Sequence, residues 1–156
     1  MKIKLQTLII SVLIPLAAGF VGSLFTTPSI PTWYATLNKP SFNPPSYLFA
    51  PVWTFLFILI GLAFYLVVTT KTKKSKKFAY KVYFTQITLN TLWSILFFGL
   101  QNPALALIEI LILWSTILAN IYYFYKIKKD AALLLIPYLL WVTFATLLNF
   151  SIWQLN

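Results

Sequence analysis

The sequence predicts an all-α membrane protein, a bundle of five transmembrane helices with its N-terminus inside and a long structured outer loop between helices 1 and 2. Three observations predict this fold: five apolar stretches of spanning length, a charged fraction of only 9%, and a one-sided distribution of the lysines. Since a soluble domain carries roughly 25% charged residues, this chain has too little charge to coat a water-facing surface. Its 156 residues form one predicted transmembrane domain, 1–156.

The five apolar stretches each reach the length of about 20 residues that a spanning helix needs. The predicted spans are 5–25, 51–70, 82–100, 104–125 and 131–153, and charge, proline or a polar turn separates each from the next. The first span has an alternative reading as a secretory signal peptide, because MKIK precedes an apolar run that ends in small residues. That run is longer than the apolar core of about 7–15 residues in such signals, and four spans would remain after cleavage.

The lysines predict the orientation of these spans. Five spans place the N-terminus, the second loop and the fourth loop on one side, which holds eleven of the twelve lysines, Lys2 among them; only Lys39 falls on the other side. Short cytoplasmic loops concentrate Lys and Arg. The sequence therefore predicts a multi-pass cell-membrane protein with a cytoplasmic N-terminus and an outer C-terminus, whose basic cluster at 71–77 also attracts anionic lipid.

The residue inventory excludes several kinds of site. The chain has no Cys and no His, which excludes disulfides, thiol nucleophiles, zinc fingers and a Ser-His-Asp triad. With Glu109 and Asp130 as the only acids, we predict no metal site, no paired-carboxylate hydrolase and no cofactor. The net charge of +10 does not indicate nucleic-acid binding, because the lysines lie between apolar runs and not on one basic face.

The long outer loop, Thr26–Ala50, holds five of the nine prolines. A segment this rich in proline is not expected to form a regular helix. Its aromatic residues, Tyr34 among them, form either an interfacial aromatic belt or a structured lid over the outer end of the bundle. In the lid interpretation, Lys39 pairs with an acidic group of a ligand.

Polar residues inside the predicted spans fall on single helix faces. Such groups are costly in lipid and usually face the bundle interior. The third span carries Gln86, Asn90, Ser94, Phe97 and Gln101 on one face with Trp93 beside it, the fourth carries Glu109, Leu113, Thr116 and Asn120, and the fifth carries Tyr138, Trp141, Ala145, Leu148 and Asn149. These faces either join helices by hydrogen bonds, as we expect for Thr116 and Asn120, or converge on a pocket for a flat apolar ligand.

Glu109 is the only acid inside a predicted span. Two interpretations stay open for it. It serves a proton relay or a substrate, as intramembrane acids do in transporters, or it is a neutral acid hydrogen-bonded to a neighbouring helix.

Five patches of the sequence, in order, resemble the TspO/MBR translocator proteins, also called peripheral benzodiazepine receptors. They are WYATLNKPSFNPP at 33–45, VWTFLFILIGLAFYL at 52–66, LNTLWSILFFG at 89–99, ALIEILIL at 106–113 and IPYLLWVTFATLLNFSIWQLN at 136–156. The resemblance covers nearly the whole chain. It implies a five-helix membrane protein, commonly a homodimer, with a pocket beneath the first loop that binds porphyrins and synthetic isoquinoline- or benzodiazepine-type ligands.

The resemblance also implies which residues bind the ligand. The positions that match the family's pocket are Tyr34, Pro44, Trp53, Asn90, Ser94, Trp141, Ala145 and Leu148, and we add Glu109. Trp53 and Trp141 match the tryptophans linked in bacterial members to porphyrin breakdown, so they are the catalytic candidates if degradation occurs. Glu109 stands where the family usually has Asp. The C-terminal TLLNFSIWQLN lacks the Tyr and the basic residue of the proposed cholesterol motif, which argues against sterol binding, and the short MKIK start suggests a bacterial member.

The leading function on this resemblance is an integral membrane porphyrin- or tetrapyrrole-binding protein that acts as a sensor, scavenger or regulator and not as an enzyme. The alternatives are a transporter of tetrapyrroles or other small apolar ligands and a slow tryptophan-dependent porphyrin-degrading enzyme. The absence of His and Cys, with Met1 as the only Met, disfavours haem ligation. The expected ligand is therefore a free-base porphyrin.

Overall fold

The computed structural model describes residues 4–156, and all the regular secondary structure in this part of the chain is helical. Lys2, one of the lysines that predict the orientation, lies outside the described residues. The α-helices, in chain order, are α1 Leu5–Ser29, α2 Trp33–Thr36, α3 Phe49–Thr69, α4 Lys77–Ser94, α5 Pro103–Ile127, α6 Lys129–Leu133 and α7 Ile136–Leu155. A 3₁₀ turn, Ser46–Leu48, leads into α3, and a π-helical turn, Ile95–Gly99, continues α4.

Four helical segments are long and apolar enough to cross a membrane. They are Leu5–Ser29, Ser46–Thr69, Pro103–Ile127 and Lys129–Leu155, and they correspond to the first, second, fourth and fifth predicted spans. The fifth long helix, α4 with its π turn, lies where the third span is predicted. It is less apolar because lysines occupy its start and because Gln86 and Asn90 are buried on its inner face.

Several helices begin or end at other residues than the predicted spans do, and polar residues or proline lie at these ends. α1 continues past residue 25 to Ser29 and includes Pro28, so the expectation that all of 26–50 is non-helical is wrong at this end. α4 begins at Lys77, well before residue 82, because hydropathy does not register a polar first turn. The fifth span is broken between α6 and α7, where Pro137 occupies the first turn of α7, a position that tolerates its missing N–H.

The turn between α4 and α5 is fixed by local backbone geometry. Gln101 has a positive φ of 52°, which lets the chain reverse within three residues. The side chain of Asn102 accepts a hydrogen bond of 3.0 Å from the backbone N–H of Leu105, and Pro103 follows as the first residue of α5. An amide cap followed by proline is the expected start of a helix, and it makes α4 and α5 antiparallel neighbours.

Glycines set how closely α1 approaches its neighbours. A Cβ placed on Gly61 of α3 would lie 2.6 Å from the Cα of Val12, so these two backbones touch. A Cβ on Gly19 would lie 2.2 Å from the Phe57 ring, and one on Gly22 would lie 3.1 Å from the Ser94 hydroxyl. The small residues of α1 at these positions therefore serve contacts within the bundle.

Candidate functional site

A cavity of about 580 Å³ lies between α1, α3, α4 and α7 at the end of the bundle that carries the long loop, residues 30–48. Its walls come from the second half of α1, residues 49–57 of α3, the end of α4 with its π turn, and residues 141–152 of α7. Tyr34 of α2 lies over it. The volume falls in the range of small-molecule sites, and the lining is mostly apolar with a few polar groups, as such sites are.

Seven of the nine predicted ligand-binding residues line this cavity. They are Tyr34, Trp53, Asn90, Ser94, Trp141, Ala145 and Leu148. Pro44 and Glu109 are not among the lining residues. The structure thus brings together residues from four helices, and the two that lie farthest apart in the sequence, Tyr34 and Leu148, are separated by 114 positions. The role of these residues as ligand contacts stays a prediction.

Ten of the 27 residues that line the cavity are aromatic. The Trp53 ring stacks on Phe57 with centroids 5.5 Å apart, and Trp93 stacks on Phe97 at 5.1 Å. On α7, Trp141 contacts Phe144 at 5.4 Å. Rings arranged in pairs around an enclosed space offer flat surfaces on which a planar molecule can stack.

Sequence reasoning missed several of these wall residues as site residues. Phe57 lies one turn after Trp53 on the same face of α3. The helical period could therefore have identified Phe57 from the position of Trp53. Trp93 and Phe97 were placed on or beside the polar face of the third span without being assigned to the site. Phe144 was not singled out, because its neighbours Trp141 and Ala145 define that face without it.

Three interhelical hydrogen bonds hold the polar part of the wall. The Asn90 amide donates to the Tyr138 hydroxyl at 3.0 Å, which joins α4 to α7. The Trp93 indole N–H donates to the Asn149 side-chain oxygen at 3.1 Å, and the Asn149 amide donates to the Pro103 carbonyl at 2.8 Å. These bonds fix the amides of the wall in place, so that the ring faces beside them are held rigidly.

The indole N–H of Trp141 is a buried and unused hydrogen-bond donor in the cavity wall. It has no hydrogen-bond partner within residues 4–156. A buried N–H without a partner costs free energy, and a bound molecule that carries an acceptor would relieve that cost.

Tyr34 joins two parts of the long loop to each other. This side chain is only 2% exposed, and its hydroxyl donates to the Asn43 side-chain oxygen at 2.7 Å. Burial raises the pKa of Tyr34 to about 12, against a smaller lowering by the Asn43 hydrogen bond. Tyr34 is therefore neutral near pH 7 and acts as a hydrogen-bond donor.

Lys39 lies on the long loop but is not a lining residue of the cavity. Its ammonium group donates to the carbonyls of Leu37 at 3.0 Å and Ala35 at 3.4 Å. It also lies 4.9 Å from the centre of the Tyr34 ring. In this arrangement Lys39 ties together the loop around α2, and its pairing with an acidic ligand group stays a prediction.

Glu109 is buried on α5, away from the cavity lining. Neither of its carboxyl oxygens has a hydrogen-bond partner among the described residues. The interpretation of Glu109 as an acid hydrogen-bonded to a neighbouring helix therefore does not hold, and its interpretation as a proton-relay or substrate residue stays open. The predicted interhelical bonds of Thr116 and Asn120 are also wrong. Thr116 bonds to the Ile112 carbonyl of its own helix, and the buried Asn120 amide has no partner in this part of the chain.

The described residues contain no group of three or more His, Cys, Asp or Glu side chains that could hold a metal ion. The lining residues themselves offer aromatic stacking, the buried indole N–H of Trp141 and a small number of hydroxyl and amide groups.

Comparison with known proteins places the whole chain in one family. The model of the TspO/MBR family matches residues 11–154. The chain is 48% identical to the "Tryptophan-rich protein TspO" of Archaeoglobus fulgidus over 149 residues, 96% of each chain. It is 46% identical to the protein of the same name from Chlorobaculum tepidum, over all of this chain and 99% of that one. It is 36% identical to the human "Translocator protein" over 92% of this chain and 86% of the other. This chain is a multi-pass membrane protein that belongs to the TspO/MBR family.

Proposed function

We propose that this protein binds porphyrins or related flat tetrapyrroles in the aromatic cavity and acts as a sensor, scavenger or regulator. The observation that carries the proposal is the convergence of Trp53, Trp141 and Asn90 on one cavity of about 580 Å³. Stacked rings suit the faces of a planar macrocycle, and no His, Cys or acid lines the cavity to bind a haem iron. Synthetic isoquinoline- or benzodiazepine-type ligands would use the same walls.

The proposal is tested by titrating the purified protein with free-base protoporphyrin and recording the absorption and fluorescence bands in darkness. Ala145→Phe should abolish saturable binding, because the new ring would occupy the cavity beside Trp141. Leu147→Phe is the matched control, since Leu147 lies two residues away on the exposed face of α7. Equal affinity of both variants and the parent would place the porphyrin outside this cavity.

Porphyrin breakdown is the second candidate function, and one observation favours it. Trp53 and Trp141, the tryptophans that match those linked to breakdown, line the same cavity and so would both contact one bound ring. Repeating the titration under illumination separates the two functions. Stable bands in light support binding alone, whereas loss of the bands in the parent but not in a Trp53→Phe, Trp141→Phe double variant supports degradation.

We further propose that α4 is the third of five spans and that the N-terminus is cytoplasmic, in the cell membrane. Lys74 donates to the Lys126 carbonyl at 2.8 Å, so the two basic loops lie together. The backbone N–H of Lys4 donates to the Tyr65 hydroxyl at 3.2 Å, so the start of α1 lies near the end of α3. The basic segments thus share one end of the bundle, as the positive-inside rule requires.

This topology is tested with a reporter that is active on only one side of the membrane. A fusion after Asn156 should report the outer side, and an insertion in the loop 71–76 should report the cytoplasm. A cytoplasmic signal from both positions would contradict five spans.

We also propose that the protein is a homodimer in a shell of membrane lipid, which crosslinking in native membranes would test.

A further inference from the structure

We propose that the cavity opens sideways into the membrane between α1 and α3 and takes up its ligand from the lipid. This inference rests on the proposed function and deepens it. It identifies the ligand class as flat, apolar molecules that already partition into the bilayer, and not as molecules that arrive from water through the long loop.

The first support comes from the exposure of the lining residues. Only four residues that line the cavity are also exposed on the outside of the protein: Phe20 and Thr27 of α1, and Ala50 and Thr54 of α3. The lining residues on α4, its π turn, α7 and the long loop are buried or half-buried. The cavity therefore meets its surroundings along two facing helix edges, which together border one slot.

The two helices close this slot at its inner limit. At Gly61 the backbone of α3 touches that of α1 at Val12, and one level nearer the slot the Phe57 ring packs onto Gly19. Beyond these contacts, towards the long loop, residues of both helices line the cavity. The slot thus occupies the loop-side part of the α1–α3 interface.

The slot edges are compatible with lipid. The Thr54 hydroxyl donates to the Ala50 carbonyl at 2.8 Å, and the Ser23 hydroxyl donates to the Phe20 carbonyl at 2.7 Å. The Thr54 and Ser23 hydroxyls are satisfied within their own helices, as polar groups in hydrocarbon must be, whereas Thr27, at the loop end of the slot, makes no such bond to any described residue. The four exposed edge residues carry no charge, so an apolar molecule meets no electrostatic barrier between them.

The route through the long loop is closed by contrast. The loop is held to the end of α7 by hydrogen bonds between Asn38 and Asn156. The Phe42 ring packs on Phe144 with centroids 6.2 Å apart, and Tyr34 fastens the loop internally to Asn43. Entry from water would break these contacts, whereas entry through the slot would break none of them.

The experiment uses a small apolar diazirine, of about the size of adamantane, dissolved in nanodiscs that hold the full chain. Light flashes at increasing delays after probe addition make the diazirine lose N₂, and the carbene that remains inserts into a nearby C–H or N–H bond. Mass spectrometry then gives the labelling of the cavity residue Trp141 relative to that of Leu140, which is exposed on the same helix. This reading needs no porphyrin, so a parent that fails to bind porphyrin would contradict the proposed function and leave this test intact.

Thr54→Trp and Ala50→Trp fill the slot from its exposed edge and should slow the labelling of Trp141 by about tenfold, within the range over which association rates vary among variants of one site. Thr88→Trp is the matched control: Thr88 is exposed on α4 and bonds back to the Phe84 carbonyl just as Thr54 bonds to Ala50. Labelling of Trp141 at the parent rate in both slot variants would overturn the proposal. A Trp141 that stays unlabelled in the parent at all delays would overturn it too.

Discussion

The side chain of Asn156 and the backbone of Asn38 are joined by two reciprocal hydrogen bonds. The Asn38 N–H donates to the Asn156 side-chain oxygen at 2.9 Å, and the Asn156 amide donates to the Asn38 carbonyl at 2.9 Å. The Asn38 amide adds a longer bond of 3.3 Å to the Leu155 carbonyl. Residues 118 positions apart in the sequence thus fasten the long loop to the end of α7.

We expect Asn156→Ala to loosen the long loop and to speed ligand release. Exposed hydrogen bonds of this kind contribute about 0.5–1 kcal/mol, so release of bound porphyrin should become about two- to fivefold faster. Stopped-flow release from nanodiscs measures the rate. Gln154→Ala is the control, because Gln154 is exposed on the same helix end. If both variants release at the parent rate, the Asn38–Asn156 contact does not hold the loop over the ligand.

Gly61→Ala should destabilise the protein, because its new Cβ would lie 2.6 Å from the Val12 Cα and 2.8 Å from the Ser11 carbonyl oxygen. Neither backbone atom can move without shifting a helix, and overpacking of this kind costs about 1–3 kcal/mol. This cost exceeds the gain in helix propensity of up to about 1 kcal/mol from replacing glycine.

Gly22→Ala provides the comparison for that variant. Its Cβ would meet only the Ser94 side chain, at 3.1 Å, which can adjust. We therefore expect an unfolding temperature close to that of the parent in the same detergent, and a clearly lower one for Gly61→Ala. Equal unfolding temperatures would mean that α1 and α3 are not in backbone contact at this level.

The sequence predicted the helices more readily than their exact ends. Hydropathy locates a lipid-facing helix, but it does not register the polar first turn of α4 at Lys77 or the continuation of α1 through Pro28. In both cases hydrogen bonding of the backbone, and not the apolarity of the side chains, decides where the helix begins or ends.

The site was predictable only in part for a related reason. Helical periodicity put Trp141, Ala145 and Leu148 on one face, and the structure turns that face to the cavity. Periodicity does not say which helix faces meet. Glu109 was therefore grouped with the predicted ligand-binding residues, although its position on α5 keeps it out of the cavity lining. Pro44 was assigned from resemblance alone, and no periodic signal placed it in the lining.

The pH dependence of the long loop should reflect Tyr34. Burial raises its folded pKa to about 12, above the value of about 10 in an unfolded chain. The folded state favours the neutral phenol, so the raised pKa of Tyr34 adds to the free energy of unfolding. This contribution is complete below about pH 10 and is lost as the pH rises from about 10 to about 12. We expect proteolysis of the long loop to accelerate in that window.

Tyr34→Phe should remove the alkaline step in the proteolysis rate, because no phenol remains to ionise. It should also raise the rate at neutral pH, since the hydrogen bond to Asn43 is lost. Tyr47→Phe is the control, as Tyr47 is 76% exposed in the same loop. An alkaline step that persists in Tyr34→Phe would assign it to another group.

The aromatic walls should dominate porphyrin affinity. Trp53→Ala removes the ring that stacks on Phe57, and Trp141→Ala removes the ring on α7 that contacts Phe144. Each should weaken binding by about 1–3 kcal/mol, the scale of one large aromatic surface, which corresponds to an affinity lower by about 5- to 150-fold.

Trp153→Ala is the matched control, because Trp153 is exposed and does not line the cavity. Titration in nanodiscs in darkness measures the three dissociation constants, and Trp141→Phe separates the indole N–H from the ring area. If Trp153→Ala weakens binding as much as the two wall variants do, affinity comes from nonspecific partitioning and not from stacking within the cavity.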